Sequence, residues 1–264
     1  MTAPRELTVA VLGHGAIGSA VAAALRANAV PGARLVAVVD RVPPAPPVPA
    51  ASLDTALERA ELVVECAGQT ALREAGPAVV AAGRHLLALS TGALADTALH
   101  ERLLAGPGRL TLCAGAVGGL DLLTTATRQA PFDTVTIRTT KAPRALLRPW
   151  MTERETERLH TATAPFEVLR GPAREVTRAF PATSNVAASV ALAVGDWDLV
   201  EASVVADPEA RLSRHRIEAS GPTGRYAFDV ANHPSPDNPR TSAVVPYAVL
   251  RAIGALVGTN GSVA

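Results

Sequence analysis

The sequence is poor in aromatic residues and has almost no net charge. Only 3% of its 264 residues are aromatic, and the formal net charge is +1. Proteins that bind single-stranded nucleic acids stack the bases on aromatic rings, and proteins that bind duplexes or anionic membranes carry an excess of basic side chains. The sequence therefore predicts neither a nucleic-acid nor a membrane partner.

Long apolar runs and cysteines are also scarce. No apolar run reaches the length of about 18 residues that marks a membrane-spanning helix, and the first residues lack the apolar core of a signal peptide. Cys66 and Cys113 both lie in apolar segments, which favours two reduced, buried thiols over a disulfide. No spacing of cysteines and histidines resembles a zinc site, so no metal is predicted. A cytoplasmic protein is expected.

A glycine-rich turn stands close to the start of the chain. A short apolar run, typical of a buried strand, leads into Gly13, Gly15 and Gly18, and an alanine-rich helical segment follows. In a dinucleotide-binding turn, the first glycine permits the turn, the second admits a pyrophosphate and the third lets helix and strand pack closely. Ala16 and Ile17 open the helix, where backbone N–H groups face the phosphates.

An acidic residue completes this fingerprint. Asp40 ends the next apolar strand, about 20 residues after the glycines, where an acid binds the ribose hydroxyls of the cofactor. The alternative is an aspartate that only caps a turn. Arg41 follows it and is suited to a 2′-phosphate, so both NAD and NADP stay open as cofactors. Ala67, after the third strand, is expected at the same sheet edge.

The pattern of apolar residues predicts an α/β fold with two domains. Up to residue 114, strands alternate with helices, which is typical of a Rossmann-type parallel sheet. Later segments alternate between apolar and polar residues and predict a second, α+β domain with a mixed sheet. One strand with a single buried face is expected at 133–141, and three antiparallel strands at 198–206, 212–220 and 225–231. The first domain is placed at 1–114, completed by a C-terminal helix within 240–264, and the second at 115–239. Between the strands we expect a loop with a short charged helix over 143–165, one helix from Gly171, and another from Ser184.

Several stretches, taken together, resemble the L-aspartate dehydrogenase family. They span nearly the whole chain in the order of the family, and they comprise residues 13–18, 63–67, 91–96, 115–121, 171–173, 180–181, 185–188, 206–208 and 232–242. The resemblance implies an NAD(P)-dependent oxidoreductase acting on the CH–NH2 group of L-aspartate. The product is iminoaspartate, which yields oxaloacetate and ammonia, and the reaction is reversible. The resemblance also implies a homodimer joined through the second sheet.

The resemblance assigns roles to particular residues. Ala116 and Asn185 match positions that contact the nicotinamide cofactor. His215 matches the active-site histidine of the family, and Lys141 matches a lysine that follows the first strand of the second domain. We expect His215 to act as the proton acceptor and Lys141 to bind a substrate carboxylate. Arginines near these residues are further candidates for carboxylate binding, at positions 144, 148, 214 and 216.

The sequence departs from the family around its histidine. The family often has Arg-Asn-x-His-Glu-Ile where this chain has Leu-Ser-Arg-His-Arg-Ile over residues 212–217. Two alternatives to aspartate oxidation therefore stay open. One is a dehydrogenase or imine reductase acting on another amino acid, and the other is a regulatory protein that binds NAD(P) without turnover.

Overall fold

A computed structural model describes residues 6–181, 185–238 and 241–258. The chain forms two compact units: the first runs up to Gly115 and resumes at Val245, and the second comprises Ala116–Val244. The residues on either side of the predicted boundary, 239 and 240, lie outside the described part of the chain, as does Ser184. Of the helices in the described ranges, none is long and apolar enough to cross a membrane.

The first unit is built on a five-stranded parallel sheet. The strands lie in the order β2-β1-β3-β4-β5 and span Leu7–Leu12 (β1), Ala33–Val39 (β2), Leu62–Glu65 (β3), His85–Ala88 (β4) and Leu110–Leu112 (β5). Helices connect them: Ala16–Arg26 (α1), Leu53–Arg59 (α2), Gln69–Ala81 (α3) and Thr97–Ala105 (α4). The central strands are apolar on both faces because helices cover both faces of such a sheet. The predicted Rossmann-type domain is confirmed.

Polar residues fix the starts of two of these helices. The Ser52 hydroxyl accepts a hydrogen bond from the Thr55 N–H at α2, and the Asp96 carboxylate accepts one from Leu99 at α4. Each side chain satisfies a backbone donor that has no partner within the helix.

The second unit holds a five-stranded mixed sheet. Its order is β10-β9-β6-β8-β7, and the strands span Thr134–Lys141 (β6), Phe166–Pro172 (β7), Val200–Ala206 (β8), Ser213–Gly221 (β9) and Gly224–Asn232 (β10). The helices of this unit are Leu120–Gln129 (α5), Glu153–His160 (α6), Ala173–Ala179 (α7) and Asn185–Val194 (α8). One face of the sheet, the inner face, contributes to a core with Phe180, Leu123 and Ile217. The outer face is exposed and charged, so alternate residues of each strand differ in burial.

Two expectations for the second unit are wrong. The segment from residue 166 is strand β7, and Gly171 and Pro172 end this strand, so helix α7 begins only at Ala173. A register shift between Glu167 and Leu169 breaks the alternation that would have marked the strand. Pro172 is tolerated because β7 is an edge strand.

The pairing of β8 also differs from the expectation. It was predicted as one of three antiparallel strands, but β8 lies parallel to β6 and antiparallel only to β7. Strand β6 separates β8 from the β9–β10 hairpin.

The last helix, α9 (Val245–Val257), belongs to the first unit and packs against α1 and β2. Val257 lies so close to Gly32 that a side-chain carbon there would be 2.6 Å from the valine Cγ1. The helix lies within the range 240–264 that its apolar pattern predicts.

Candidate active site

In the turn after β1, neighbouring atoms leave no space for a side chain at the first and third glycines, but there is open space at the second. A Cβ at Gly13 would lie 2.7 Å from the Cα of Ala67, and a Cβ at Gly18 would overlap the carbonyl oxygen of Gly13. Gly13 also has a φ of +98°, which L side chains rarely adopt. At Gly15, a Cβ would meet nothing within 4 Å. The turn therefore leaves open backbone at the start of α1, which fits a pyrophosphate.

Asp40 is fixed across this turn. One of its carboxylate oxygens accepts a hydrogen bond from the His14 N–H at 2.6 Å, and the other accepts one from Val42 at 3.0 Å. These backbone donors, His14 first, hold the pKa of Asp40 below its usual value, so the acid is ionised at neutral pH. Each oxygen keeps capacity for a further donor such as a ribose hydroxyl. Arg41, next to it, is exposed.

Glu65 is a site residue that the sequence analysis missed. It is fully buried at the end of β3, and its carboxylate accepts hydrogen bonds at 2.8–2.9 Å from the N–H groups of Ala67, Gly68 and Ser90 and from the Ser90 hydroxyl. Burial raises the pKa of Glu65, and the four donors oppose that rise. The side chain ties the turn against Gly13 to the end of β4. A charged residue inside an otherwise apolar strand was the signal for this role.

The two cysteines are free thiols in the described part of the chain. Cys113 is buried and Cys66 is half-buried. Burial raises the pKa of both thiols, and the neighbouring carboxylate of Glu65 raises that of Cys66 further. Both therefore stay protonated at neutral pH and are unsuited to act as nucleophiles.

In the second unit, polar side chains collect at one end of the inner face of the sheet. On β6 the inner residues change from Val135 and Ile137 to Thr139 and Lys141, and all four are buried. On the antiparallel neighbour β9, buried Ser213 and His215 lie at the matching end. We call Thr139, Lys141, Ser213 and His215 the polar end of the sheet. Buried polar groups are costly unless they interact, so this cluster indicates a function.

The structure brings the two predicted catalytic residues together. Burial and the nearby charge of Lys141 lower the pKa of His215 to about 3. Burial and the charge of Arg148 lower the pKa of Lys141 to about 8. At neutral pH the imidazole is therefore neutral and most of the lysine is charged. The Nδ1 atom of His215 lies 3.1 Å from the Oγ1 atom of Thr139.

A cavity of about 560 Å³ opens beside the polar end. Lys141 and Ser213 line it, together with Arg144, His160 and Arg211. Among the lining residues in the described ranges, none is acidic. The cavity is therefore suited to an anion, and Arg211 is a candidate ligand that the sequence analysis missed.

Two of the candidate arginines lie on the opposite face of the sheet, and a third, Arg148, acts on the charge of Lys141 without lining the cavity. Arg214 and Arg216 point to the outer face, where their guanidinium groups bind Asp229 and Glu218 at 2.7–2.8 Å. The Arg148 guanidinium donates to the carbonyl oxygens of Ala145 and Leu147, and Arg148 does not line the cavity. The strand period of two places neighbours of His215 on the opposite face from it, so this expectation was wrong for a simple geometric reason.

A second glycine turn lies against β10. The Asn232 side-chain amide donates to the carbonyl oxygen of Ala116 at 2.9 Å, and a Cβ at Gly119 would overlap the ring of Phe228. Ala116 is thus held by β10. Asn185 is the half-buried first residue of α8. Within the described residues, no group of three or more His, Cys, Asp or Glu side chains is arranged to hold a metal ion.

The parallel sheet with its glycine turn and acid defines a dinucleotide-binding protein of the dehydrogenase class. A family model for the aspartate dehydrogenase C-terminal region matches residues 121–256, and one for the NAD-binding domain of homoserine dehydrogenase matches residues 13–106. The L-aspartate dehydrogenase 2 of Bordetella pertussis is 37% identical over 258 residues, which cover 93% of this chain and 95% of that protein. The L-aspartate dehydrogenase of Serratia proteamaculans is 38% identical over 210 residues, 77% of this chain and 78% of that protein.

The chain belongs to the aspartate dehydrogenase family. Its fold matches the crystal structure of aspartate dehydrogenase from Thermotoga maritima with a TM-score of 0.74. That match covers 98% of this chain and all of the other, at 24% sequence identity. The resemblance found in the sequence is confirmed.

Proposed function

We propose that this chain is an enzyme that oxidises L-aspartate with NAD or NADP. L-Aspartate and NAD(P)+ give iminoaspartate, NAD(P)H and a proton, and water then converts iminoaspartate to oxaloacetate and ammonia. The observation that carries the proposal is that buried His215 lies close to Lys141, which lines a cationic cavity, in a member of the aspartate dehydrogenase family.

The dinucleotide supplies the hydride chemistry when it is bound. Gly15 and the first turn of α1, including Ala16 and Ile17, would hold the pyrophosphate, and Asp40 would bind the ribose hydroxyls. Arg41 would meet a 2′-phosphate, and Ala116 and Asn185 are proposed to contact the nicotinamide end. The open backbone at Gly15 supports this fit.

The cavity matches the charges of aspartate. The substrate carries two carboxylates, and Lys141, Arg144 and Arg211 line the space with cationic groups. A guanidinium binds a carboxylate through two parallel hydrogen bonds, which fixes its orientation. Lys141, the most buried of the three, is proposed to bind one of the two carboxylates.

His215 is proposed to take the proton that the substrate amine must lose. In the free protein its pKa of about 3 makes it a weak base, because burial and the Lys141 charge disfavour the imidazolium ion. A bound dianion would oppose the effect of the Lys141 charge, which is the second cause of the low pKa, and so would raise the pKa of His215. Burial, the first cause, would remain.

A panel of amino acids tests the proposal, with NAD(P)H formation followed by absorbance. We expect L-aspartate to give the highest kcat/KM. His215→Asn should lower kcat by about 100- to 10,000-fold, the usual contribution of a general base, while NADH binding persists. Turnover with another amino acid but not with aspartate would instead identify a related dehydrogenase. NADH binding without turnover of any amino acid would identify a regulatory protein.

A second pair of variants tests the cavity. Arg211→Gln should raise the KM for aspartate more than the KM for the cofactor. Arg154→Gln, an exposed arginine on α6 of the same unit, should change neither. Equal kinetic constants for Arg211→Gln and the natural protein would remove Arg211 from the site.

The proposal includes a homodimer joined through the outer face of the mixed sheet. That face carries Arg138, Arg170, Glu201, Arg216 and Glu218 around a second cavity of about 390 Å³. Light scattering should show twice the mass of one chain, and Arg138→Glu should shift the mass toward one chain. A monomer at micromolar concentration would contradict this part. A cytoplasmic location also belongs to the proposal, supported by the two free thiols.

A further inference from the structure

The hydroxyl of Thr139 is the hydrogen-bonding partner that the structure gives to the His215 ring. Thr139 and His215 are directly opposite each other on β6 and β9, and Thr139 Oγ1 lies 3.1 Å from His215 Nδ1. Both side chains are almost completely buried, with 5% and 2% of their surface exposed.

The surroundings leave this contact isolated from the charged outer face. On the other neighbour, β10, the residue opposite His215 is Val230, and the charged residues Arg214, Arg216 and Asp229 lie on the outer face of the sheet. Lys141, on the inner face of β6, is the charged group that acts on the imidazole. The polar residues that share this buried end of the inner face with His215 are Thr139, Lys141 and Ser213.

The choice of threonine at this position is itself informative. The preceding inner-face positions of β6 hold Val135 and Ile137, and valine has nearly the same shape as threonine. A buried hydroxyl costs free energy unless it forms a hydrogen bond. The contact with His215 offsets that cost, so the hydroxyl serves the imidazole rather than the packing of the sheet.

A neutral imidazole carries its proton on one nitrogen and a lone pair on the other. The Thr139 hydroxyl can accept a hydrogen bond from Nδ1–H or donate one to an unprotonated Nδ1, and a histidine that takes a proton through Nε2 requires the first arrangement. The lone pair then lies on Nε2, the only ring nitrogen left to take a proton from a ligand. Fixing the tautomer also fixes the ring orientation, as a carboxylate does for the histidine of serine proteases.

We propose that Thr139 is a positioning residue that holds His215 with the proton on Nδ1 and the lone pair on Nε2. The inference rests on the proposed function, since it assigns a catalytic purpose to the tautomer. The contact between the hydroxyl and Nδ1 is independent of any substrate, and the tautomer can be measured without turnover.

Two substitutions separate the hydroxyl from the shape of the side chain. Thr139→Val removes the hydroxyl and keeps the volume, and Thr139→Ser keeps the hydroxyl. We expect Thr139→Val to lower kcat for aspartate by about tenfold or more, as befits a catalytic imidazole without the partner that sets its tautomer. Thr139→Ser should retain most of the activity, and the NADH affinity of both variants should match that of the natural protein.

The nitrogen-15 chemical shifts of the His215 imidazole give the second measurement. In the natural protein and in Thr139→Ser, Nδ1 should show the shift of a protonated nitrogen and Nε2 that of an unprotonated one. In Thr139→Val the two shifts should move toward each other as the tautomers mix. His215→Asn identifies the resonances.

Two results would overturn the proposal. One is a protonated Nε2 in the natural protein, and the other is a Thr139→Val variant with unchanged kcat and unchanged shifts. If Thr139→Ser lost as much activity as Thr139→Val, the methyl group and not the hydroxyl would matter, which also contradicts it. If the natural protein oxidised no amino acid, the proposed function would fail while the nitrogen shifts would still report the tautomer.

Discussion

In the parallel sheet, the groups that would meet a ligand belong mainly to the backbone, whereas the mixed sheet offers side chains from one of its faces. Around β1 the open space lies over Gly15 and the start of α1, and buried Glu65 holds the neighbouring turn in place. On β6 and β9, the side chains of Lys141 and His215 are the groups proposed to act on the substrate. Backbone groups are thus proposed to bind the cofactor, which many enzymes share, and charged or titratable side chains are proposed to bind the particular substrate.

The largest effect is expected where a buried carboxylate supports the backbone. Glu65→Ala would leave four donors without their acceptor and should lower the free energy of unfolding by about 3–5 kcal/mol. Glu6→Ala, an exposed residue directly before β1 and paired with Arg34, should cost less than about 1 kcal/mol. Urea unfolding of both variants measures the contrast. Equal losses in the free energy of unfolding would mean that the buried carboxylate stabilises the protein no more than the exposed one.

The next effect concerns the open backbone at Gly15. Gly15→Ala should fold normally, because its Cβ meets no protein atom within 4 Å, and the bulkier Gly15→Val should weaken NADH binding about 100-fold, or about 2.7 kcal/mol. Gly254→Ala in α9 is the matched control, since its Cβ would make an ordinary contact of 3.8 Å with Val30. Fluorescence titration with NADH measures both. Unchanged affinity in Gly15→Val would place the pyrophosphate elsewhere.

The buried imidazole of His215 should make the free energy of unfolding depend on pH. His215 has a pKa of about 3 when folded and about 6.5 when unfolded. The unfolded chain therefore binds more protons between these values, and the free energy of unfolding falls as the pH falls through this range. At pH 5 the loss is about 2 kcal/mol relative to pH 7.5.

The His215→Gln variant isolates this contribution from those of other histidines. Its free energy of unfolding should fall about 2 kcal/mol less than that of the natural protein between pH 7.5 and pH 5. Urea unfolding at the two pH values is the measurement. Parallel losses in both proteins would show that His215 titrates normally in the folded state.

The smallest effect tests the charge of Lys141. Succinate has the two carboxylates of aspartate but no amine, so its binding reports the cavity without the substrate's own amine titration. With the Lys141 pKa near 8, its dissociation constant should rise about tenfold from pH 7 to pH 9 as the lysine loses its proton. Calorimetry measures it, and Lys141→Arg, which stays charged, should abolish the pH dependence. A persistent dependence in that variant would assign the titration to another group.

The first unit was predictable because its constraints fall on residue types. Only glycine suits the positive φ at Gly13 and the close packing at Gly18, so the spacing identifies the turn without a structure. The role of Glu65 was not predicted because two of its four hydrogen-bond donors belong to Ser90, 25 residues away. A chain read in order does not show which distant loop a buried acid supports.

The second unit was predictable only where its strands alternate regularly. The period of two located β6, β8, β9 and β10, but the register shift in β7 removed that signal. The same period places Arg214 and Arg216 on the other face of the sheet from His215. The sequence alone therefore contained the information that excludes both arginines from the site. Arg211 was not, because it lies outside the strands and its direction depends on the path of the loop before β9.

Helix α9 returns the chain to the unit in which it began, so the residues between Gly115 and Val245 form one uninterrupted insertion. The nucleotide sheet and its covering helix are encoded outside that insertion. Exchange of one contiguous segment between related genes would therefore replace the whole mixed sheet and leave every strand of the parallel sheet unchanged.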